Sequence, residues 1–406
     1  MIILISVFFW FSGFCLLHSY LFYPLILRIA ARGKQAHAPI FQRSEQLPRV
    51  SVLLSAFNEE AVIKEKLKSI FSSDYPLDQL YVYIGSDCST DKTNEIIENF
   101  GKQYPNNLYF NPYAERRGKP MVINDLAAKA TADYPKGADH IFIITDANVM
   151  FSPEAVFQLL KHFKDQEIAI VDSNITHPEF AEKKAGIARN EKGYISREVG
   201  IKYLEGLAWG CMIGPLGGCY SVRSTYFSEV PAGYLVDDFY IAMKAFEKGG
   251  KAINEPLALC FEDVSNSISE EFRRKTRIST GNFANLATFW RLLLPNRGAL
   301  AFAFLSHKVF RWLGPFFIIL AYISNTILAF SFSGNLFYQI LFLILTIGLF
   351  AVPLLDFLLK KAGINIEPLR YITYFLAMNA ALLKGFINYL KGVSNNVWQP
   401  TKRNIE

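Results

Sequence analysis

Three stretches of this chain end an apolar run on side chains able to bind or activate a ligand. "SVLLSAFNEE" runs into Asn58 and Glu59, "LYVYIGSDCSTDKT" into Asp87 and Asp91, and "HIFIITDANVMFS" into Asp146 and Asn148. Short apolar runs bounded by polar residues suit strands covered on both faces, as in a parallel α/β sheet, and ligands of such sheets sit outside the carboxyl ends of the strands. One cluster by itself is equally well a capped helix start. Three at the same sheet edge converge on a crevice. Beside them "AERRGKP" places Arg116, Arg117 and Lys119 in a glycine-containing loop. That loop is either a solvated basic surface or the cationic side of a diphosphate site, with a divalent cation held by Asp146 opposite. There is no GxxxxGK[ST] run, so phosphate binding of the P-loop type is not in use.

The elements that must hold these residues alternate. "AVIKEKLKSIFSSDYP", "NEIIENFGKQY" and "MVINDLAAKATADYP" have helical periodicity and separate the strands, which predicts a mixed α/β domain with a parallel sheet between about Arg49 and Thr288. Further along, "PLGGCYSVRSTYF" carries Gly217 and Gly218, which permit a close backbone approach to a ligand or a tight turn. "GYLVDDFYIAMKAFEKGG" opens a helix on Asp237 and Asp238. Carboxylates so close raise one another's pKa, which helps one accept a proton, while Asp237 also suits a helix cap.

Composition sets the surroundings. The chain has 406 residues, is 51% hydrophobic and 15% aromatic, and its mean hydropathy of +0.18 is too high for an ordinary soluble enzyme. The apolar excess lies at the ends. Met1 to Leu27 is long enough to cross a bilayer and is followed by Arg28, Arg32 and Lys34, without the charge order or cleavage site of a signal peptide; it reads as an uncleaved anchor with its far side cytoplasmic. Leu313 to Phe330 and Leu336 to Leu359 form a second pair of runs around "SFSGN", flanked by Arg311, Lys360 and Lys361, as in a hairpin with cytoplasmic ends. Tyr371 to Leu390, interrupted by Lys384, could span, re-enter or lie in the interface, and a further crossing could be hidden in "ALAFAFLSHKVF". The net charge of +6 sits largely beside these runs, where anionic lipid accounts for it and nucleic acid is not needed. Five cysteines without CxxC spacing indicate neither zinc nor a disulfide framework, and fit a reducing compartment.

With these residues in view, the chain resembles the family 2 glycosyltransferases of GT-A fold, and among them the membrane-embedded synthases of hyaluronan, poly-N-acetylglucosamine and cellulose. "SAFNEE" resembles the family's "PAYNE" signature, with Ser55 and Phe57 substituted and Ala56, Asn58 and Glu59 in donor-binding positions. "SDCSTDKT" resembles "DDGSTDGT", whose first aspartate, here Asp87, holds the uracil ring. "TDAN" stands where the family has its metal-binding DxD: Asp146 matches the first carboxylate and Asn148 replaces the second. An amide oxygen still suits Mg²⁺ or Mn²⁺, with one negative charge fewer. Gly218 falls in the family's glycine-rich segment near donor sugar and acceptor, and Asp238, preceded by Asp237, in the position of the catalytic base. "EFRRKTRIST" stands at the family's QxxRW, with Arg277 for the arginine, Arg274 for the glutamine and Ile278 for the tryptophan. The aromatic platform of processive members is therefore missing, and Arg273, Arg274, Lys275 and Arg277 also suit a basic face on phospholipid. "VWQPTKR" resembles the tail that follows the last span of such synthases.

The resemblance implies a membrane-bound inverting transferase that moves a sugar from a nucleotide-sugar donor, a UDP-sugar by the match of Asp87 and Glu59, to a saccharide or lipid-linked acceptor. Lys119, Arg274 and Arg277 would face the diphosphate and Mg²⁺ or Mn²⁺ would bridge it. The expected organisation is an anchor over residues 1–30, a cytoplasmic GT-A domain over 45–285, an amphipathic interfacial segment over 286–310 containing part of "FANLATFWRLLLP", membrane helices over 311–390 and a tail over 391–406. A polyprenyl-phosphate glycosyltransferase and a non-catalytic scaffold derived from a synthase are the alternatives.

Overall fold

The computed structural model describes residues 1–35, 39–134, 139–176, 186–262, 268–331 and 335–392, with the backbone alone for 186–196 and 268. The tail motif "VWQPTKR" lies outside the described residues. The chain divides into two compact units, one of Met1–Ile29 with Ser267–Gly392 and one containing Ala30–Asn266.

The chain opens with α1 (Ile2–Leu17), a π-helical turn (His18–Phe22) and α2 (Tyr23–Ala30), which together make one apolar helix. The unit that follows is built on an eight-stranded sheet. Its strands are β1 (Arg49–Ala56), β2 (Leu80–Asp87), β3 (Leu108–Tyr113), β4 (His140–Thr145), β5 (Val149–Phe151), β6 (Ile168–Thr176), β7 (Cys219–Arg223) and β8 (Lys251–Glu262), in the order β3-β2-β1-β4-β7-β6-β8-β5. Strands β1 to β4 are mutually parallel neighbours, so the ends of β1, β2 and β4 share one sheet edge, as the apolar runs predict. Strand β7 departs from that pattern: it runs antiparallel between β4 and β6.

Helices α3 (Ile63–Phe71), α4 (Thr93–Gly101), α5 (Lys119–Ala132), α6 (Ala155–Leu160), α7 (Gly186–Trp209) and α8 (Asp237–Glu247) connect the strands. Every residue of β4 and nearly every residue of β1 and β2 is buried, which is why these strands are spelled as continuous rather than alternating apolar runs. Ile63, Leu67 and Ile70 of α3 join Val52, Leu54, Ile141 and Ile143 in the core.

The second unit continues with α9 (Ile268–Phe289), short helices α10 (Ala299–Ala303) and α11 (Phe310–Trp312) joined by a π-helical turn, α12 (Gly314–Ser331), α13 (Leu336–Thr346), α14 (Val352–Lys361) and α15 (Glu367–Lys391). Among the described residues three helices are long and apolar enough to cross a membrane: Ile2–Ala30, Gly314–Ser331 and Leu336–Lys361. Neither α15 nor the 299–312 run is among them. Helix α15 instead packs closely on α9: a Cβ at Gly385 would come within 2.4 Å of Ser279, whose hydroxyl donates to the Leu382 carbonyl at 3.0 Å.

Candidate active site

The loops that leave β1 and β2 are laced together. Asn58, at φ +52°, accepts the Thr90 amide on Oδ1 at 2.8 Å and donates its own amide to Ser89 Oγ at 3.1 Å. A short polar side chain that bonds locally is the type that tolerates the left-handed region. The Glu59 amide donates to Thr93 Oγ1 at 2.8 Å, and Asp91 accepts from the amides of Glu60 at 3.1 Å and Thr93 at 3.0 Å. Asp91 is thereby taken up by the start of α4. Ala56 closes β1 beneath this lattice, fully buried.

Asp87, 2% exposed, sits at the end of β2 and organises the basic loop. It accepts hydrogen bonds from Arg116 Nε at 3.1 Å and from the amides of Arg117 and Gly118 at 2.6 and 3.0 Å. The Arg116 guanidinium lies 3.3 Å from the centroid of Phe57, so the two loops meet through one cation–π contact as well. Gly118, at φ +81°, then turns the chain into α5, with Lys119 its first residue and Pro120 in its first turn, where the missing amide costs nothing.

Lys119 Nζ lies 2.6 Å from Asp146 Oδ1, 3.5 Å from the Gly217 carbonyl and 3.9 Å from Asp237 Oδ2. Burial would lower its pKa, but the charges of Asp146 and then Asp237 outweigh burial and hold the ammonium well above the ordinary lysine range. Asp146 is carried on the turn between β4 and β5. Its amide and the Thr145 hydroxyl both donate to the Gly218 carbonyl, at 2.9 and 3.0 Å, which ties the turn to the start of β7. Asn148 donates its amide nitrogen to Glu262 Oε1 at 3.1 Å, so its carbonyl oxygen is the atom it could offer to a cation.

Asp237 and Asp238 form the first turn of α8 after Val236, whose φ of −131° ends the preceding loop. Asp237 is 8% exposed, and its Oδ2 has no hydrogen-bond partner. Asp238 accepts its neighbour Phe239's amide on Oδ1 at 2.8 Å. Burial, and then the charge of Asp237, push its pKa up to about 6 against the pull of Lys119. A Cβ added at Gly217 would stand 2.6 Å from Asp238 Oδ2, so glycine is needed for the carboxylate to lie where it does. At Gly218 the added atom would strike Ile175 and Val149, at 2.8 and 3.0 Å, so that glycine serves packing between strands.

Residues that no sequence motif singles out hold the glycine-rich segment. Glu205 accepts the Ile213 amide at 2.9 Å, and buried Asp172 accepts the Leu216 amide at 2.8 Å together with Lys202 Nζ and Asn254 Nδ2, each at 3.2 Å. Their signal in the sequence is slight: charged residues three apart, Lys202 and Glu205, on a helix that must cover a sheet.

The structure thus brings Lys119, Asp146, Asp237, Asp238 and Gly217 together, with Asn58, Glu59 and Asp87 on the neighbouring strand ends. Arg274 and Arg277 lie on α9, in the other compact unit, where Arg274 and Lys275 approach buried Glu271 at 3.6 and 3.3 Å. Among the described residues no three His, Cys, Asp or Glu side chains gather as a ready-made metal cage. The donor set still fits a hard divalent cation. Asp146 and Asn148 offer oxygens two residues apart, and Mg²⁺-type sites commonly combine one or two carboxylates with water and substrate phosphate.

Comparison with known proteins bears on the family and the fold. Residues 51–217 match the family model "Glycosyl transferase family 2", and residues 141–358 match "Glycosyl transferase family group 2". The chain is 24% identical over 269 residues to the probable glycosyltransferase YdaM of Bacillus subtilis, covering 62% of this chain and 60% of the relative. It is 24% identical over 291 residues to the poly-beta-1,6-N-acetyl-D-glucosamine synthase of Staphylococcus epidermidis, covering 66% of each. The chain therefore spans about two thirds or less of the length of these relatives. Among solved structures, the mannosyltransferase PcManGT of Pyrobaculum calidifontis, in complex with GDP-Man and Mn²⁺, superposes with a TM-score of 0.66 at 20% identity over 96% of this chain and 97% of that one. That likeness shows the fold to be the GT-A arrangement expected from the motifs.

Proposed function

The chain belongs to glycosyl transferase family 2, and on that premise we propose that it transfers a sugar, with inversion, from a UDP-sugar to a saccharide or lipid-linked acceptor at a membrane surface. The observation that carries the reading is the meeting of Lys119, Asp146 and the Asp237–Asp238 pair, drawn from three distant parts of the sequence, at the carboxyl edge of one sheet. Asp146 and Asn148 would hold Mg²⁺ or Mn²⁺, which would neutralise charge developing on the leaving diphosphate. Lys119 adds a fixed ammonium at the same place. Asp238, its pKa raised to about 6 and so largely ionised at neutral pH yet more basic than an ordinary aspartate, takes the proton of the acceptor hydroxyl as that oxygen attacks the anomeric carbon from the side opposite the diphosphate. Asn58, Glu59 and Asp87 shape the nucleoside end of the crevice, Asp87 by fixing the 116–118 loop.

Three apolar helices support a membrane-bound enzyme, and the basic residues that follow Ile2–Ala30 support a cytoplasmic catalytic unit. The test is a donor screen with the purified protein in detergent, detecting released nucleotide with and without divalent cation. Release from a UDP-sugar that depends on Mg²⁺ or Mn²⁺ is the expected result. Release from no nucleotide sugar would refute the reading in favour of a scaffold, and label partitioning into organic solvent would assign a lipid-linked acceptor.

Two smaller predictions follow from the geometry of Asp238. Because its carboxylate must be ionised to accept a proton and its pKa is about 6, kcat should fall about tenfold per pH unit below that value and level off above it; a rate flat from pH 5 to 8 would remove Asp238 as base. Gly217→Ala should displace the same carboxylate and lower kcat about 100-fold with nucleotide affinity kept, as read by initial rates and calorimetry.

A further inference from the structure

Helix α3 buries the face formed by Ile63, Lys66, Leu67 and Ile70, so a lysine stands where the helical pattern calls for a core residue. Lys66 has no exposed surface. Its Nζ donates to Thr145 Oγ1 at 2.8 Å and to the carbonyl of Val149, and lies 3.7 Å from the centroid of Phe151. Both acceptors are uncharged. They are also the two residues that bracket Asp146, Ala147 and Asn148, the turn that carries the cation-binding oxygens. The ionisable groups facing the ammonium are Cys219 of β7, Cys260 of β8 and the carboxylate of Asp146.

An ammonium buried on neutral acceptors is costly, and burial pushes the pKa of Lys66 down to about 8. For the fold alone a methionine of similar length would serve as well or better, since an apolar replacement of a buried charge is often neutral or stabilising. What the methionine could not do is grip both ends of the turn. We propose that Lys66 is a positioning residue for sugar transfer, clamping Thr145 and Val149 so that Asp146 presents its carboxylate to the cation and diphosphate in one direction. The proposal rests on the reading of Asp146 given under the proposed function, and deepens it. Partners behind a ligating group act in this way by removing its freedom to turn, and their loss typically lowers affinity or rate 10- to 100-fold.

The experiment is Lys66→Met in the full-length protein, with Thr145→Val as a second variant that deletes the acceptor hydroxyl while keeping the side-chain shape. Lys66→Met should leave the thermal midpoint unchanged or raised, lower kcat about 10- to 100-fold, and change donor KM by less than about threefold. Amide exchange at 146–149 should quicken while β1 and β2 keep their protection. In the double variant the losses of the two should combine to less than their product, because both remove the Lys66–Thr145 contact, Thr145→Val losing in addition the hydroxyl's donation to the Gly218 carbonyl. An unchanged kcat, a fall of kcat together with the thermal midpoint, or effects of the two variants that multiply would overturn the proposal. Wild-type protein that transfers no sugar would sink the proposed function instead, and exchange at 146–149 would then decide the clamp: unchanged protection in Lys66→Met refutes it.

Discussion

Asp238→Asn should eliminate measurable transfer and leave nucleotide affinity within about twofold of wild type. A positioned general base contributes about 10²- to 10⁴-fold, and no other described carboxylate replaces it. Its neighbour Asp237 is buried, its Oδ2 lying 3.9 Å from Lys119 and accepting no hydrogen bond, and it stands at the helix start, whereas Asp238 is the carboxylate beside Gly217. The substitution should also be tolerated by the fold. The pKa of about 6 lies above that of an exposed aspartate, so between about pH 4 and 6 the native protein binds more protons than the unfolded chain, and stability declines as pH rises through that window. An amide removes the decline. At neutral pH the thermal midpoint of Asp238→Asn should therefore equal or exceed that of wild type, the exchange of stability for activity common at catalytic sites. Single-turnover rates, nucleotide calorimetry and thermal melts together check the result. Nucleotide affinity lost in step with rate would mean that Asp238 holds the donor and is not the base.

Asp146→Ala should have an effect of similar size by a different route. It removes the carboxylate that lies 2.6 Å from Lys119 and that is, in the proposed function, the principal protein ligand of the cation. Asn148, engaged with Glu262 through its amide nitrogen, offers one neutral oxygen in its place. Turnover should fall by at least about 10³-fold, since stabilising the charge on the leaving group supplies most of the rate enhancement in such sites. Addition of Mn²⁺ should no longer change nucleotide affinity. Asp146→Asn should retain a fraction of both properties, because an amide oxygen is a weaker ligand for a hard cation. An Asp146→Ala protein whose nucleotide binding still responds to Mn²⁺ would place the cation elsewhere.

The parts of this site that the sequence discloses are those spelled by burial. Strands β1, β2 and β4 are covered on both faces, so they read as unbroken apolar runs, and the polar residues that follow them mark the sheet edge. Side-chain type does not separate a ligand from a cap. Asp87 and Asp91 stand four apart at one strand end, yet Asp87 grips the basic loop and Asp91 the start of α4. Strand β7 is five residues long and antiparallel between β4 and β6, an arrangement decided by pairing across the sheet, with too few residues to carry a periodic signal. The two glycines of the segment before it look alike in sequence; only the neighbours of each Cα reveal that Gly217 makes room for Asp238 while Gly218 makes room for Ile175 and Val149.

Lys66 was within reach of pattern reasoning. Three residues after Ile63 and four before Ile70, it lies on the apolar stripe of α3, where a charged side chain is out of place. In the helical unit, the break that Lys384 makes in an apolar run falls within α15, the helix that packs on α9 at Gly385; the Lys384 ammonium lies 5.5 Å from the centroid of Phe272 on that helix. A hydropathy pattern registers the charge but not the neighbour that receives it.

The coupling between Mn²⁺ and UDP on the wild-type protein tests the central claim most directly. Free Mn²⁺ can be counted by its electron paramagnetic resonance signal during titration, with and without UDP. If Asp146 and the diphosphate share one ion at the sheet edge, UDP should tighten Mn²⁺ binding to the protein at least about tenfold, and Mn²⁺ should tighten UDP by the same factor. Binding of either that ignores the other would contradict the account.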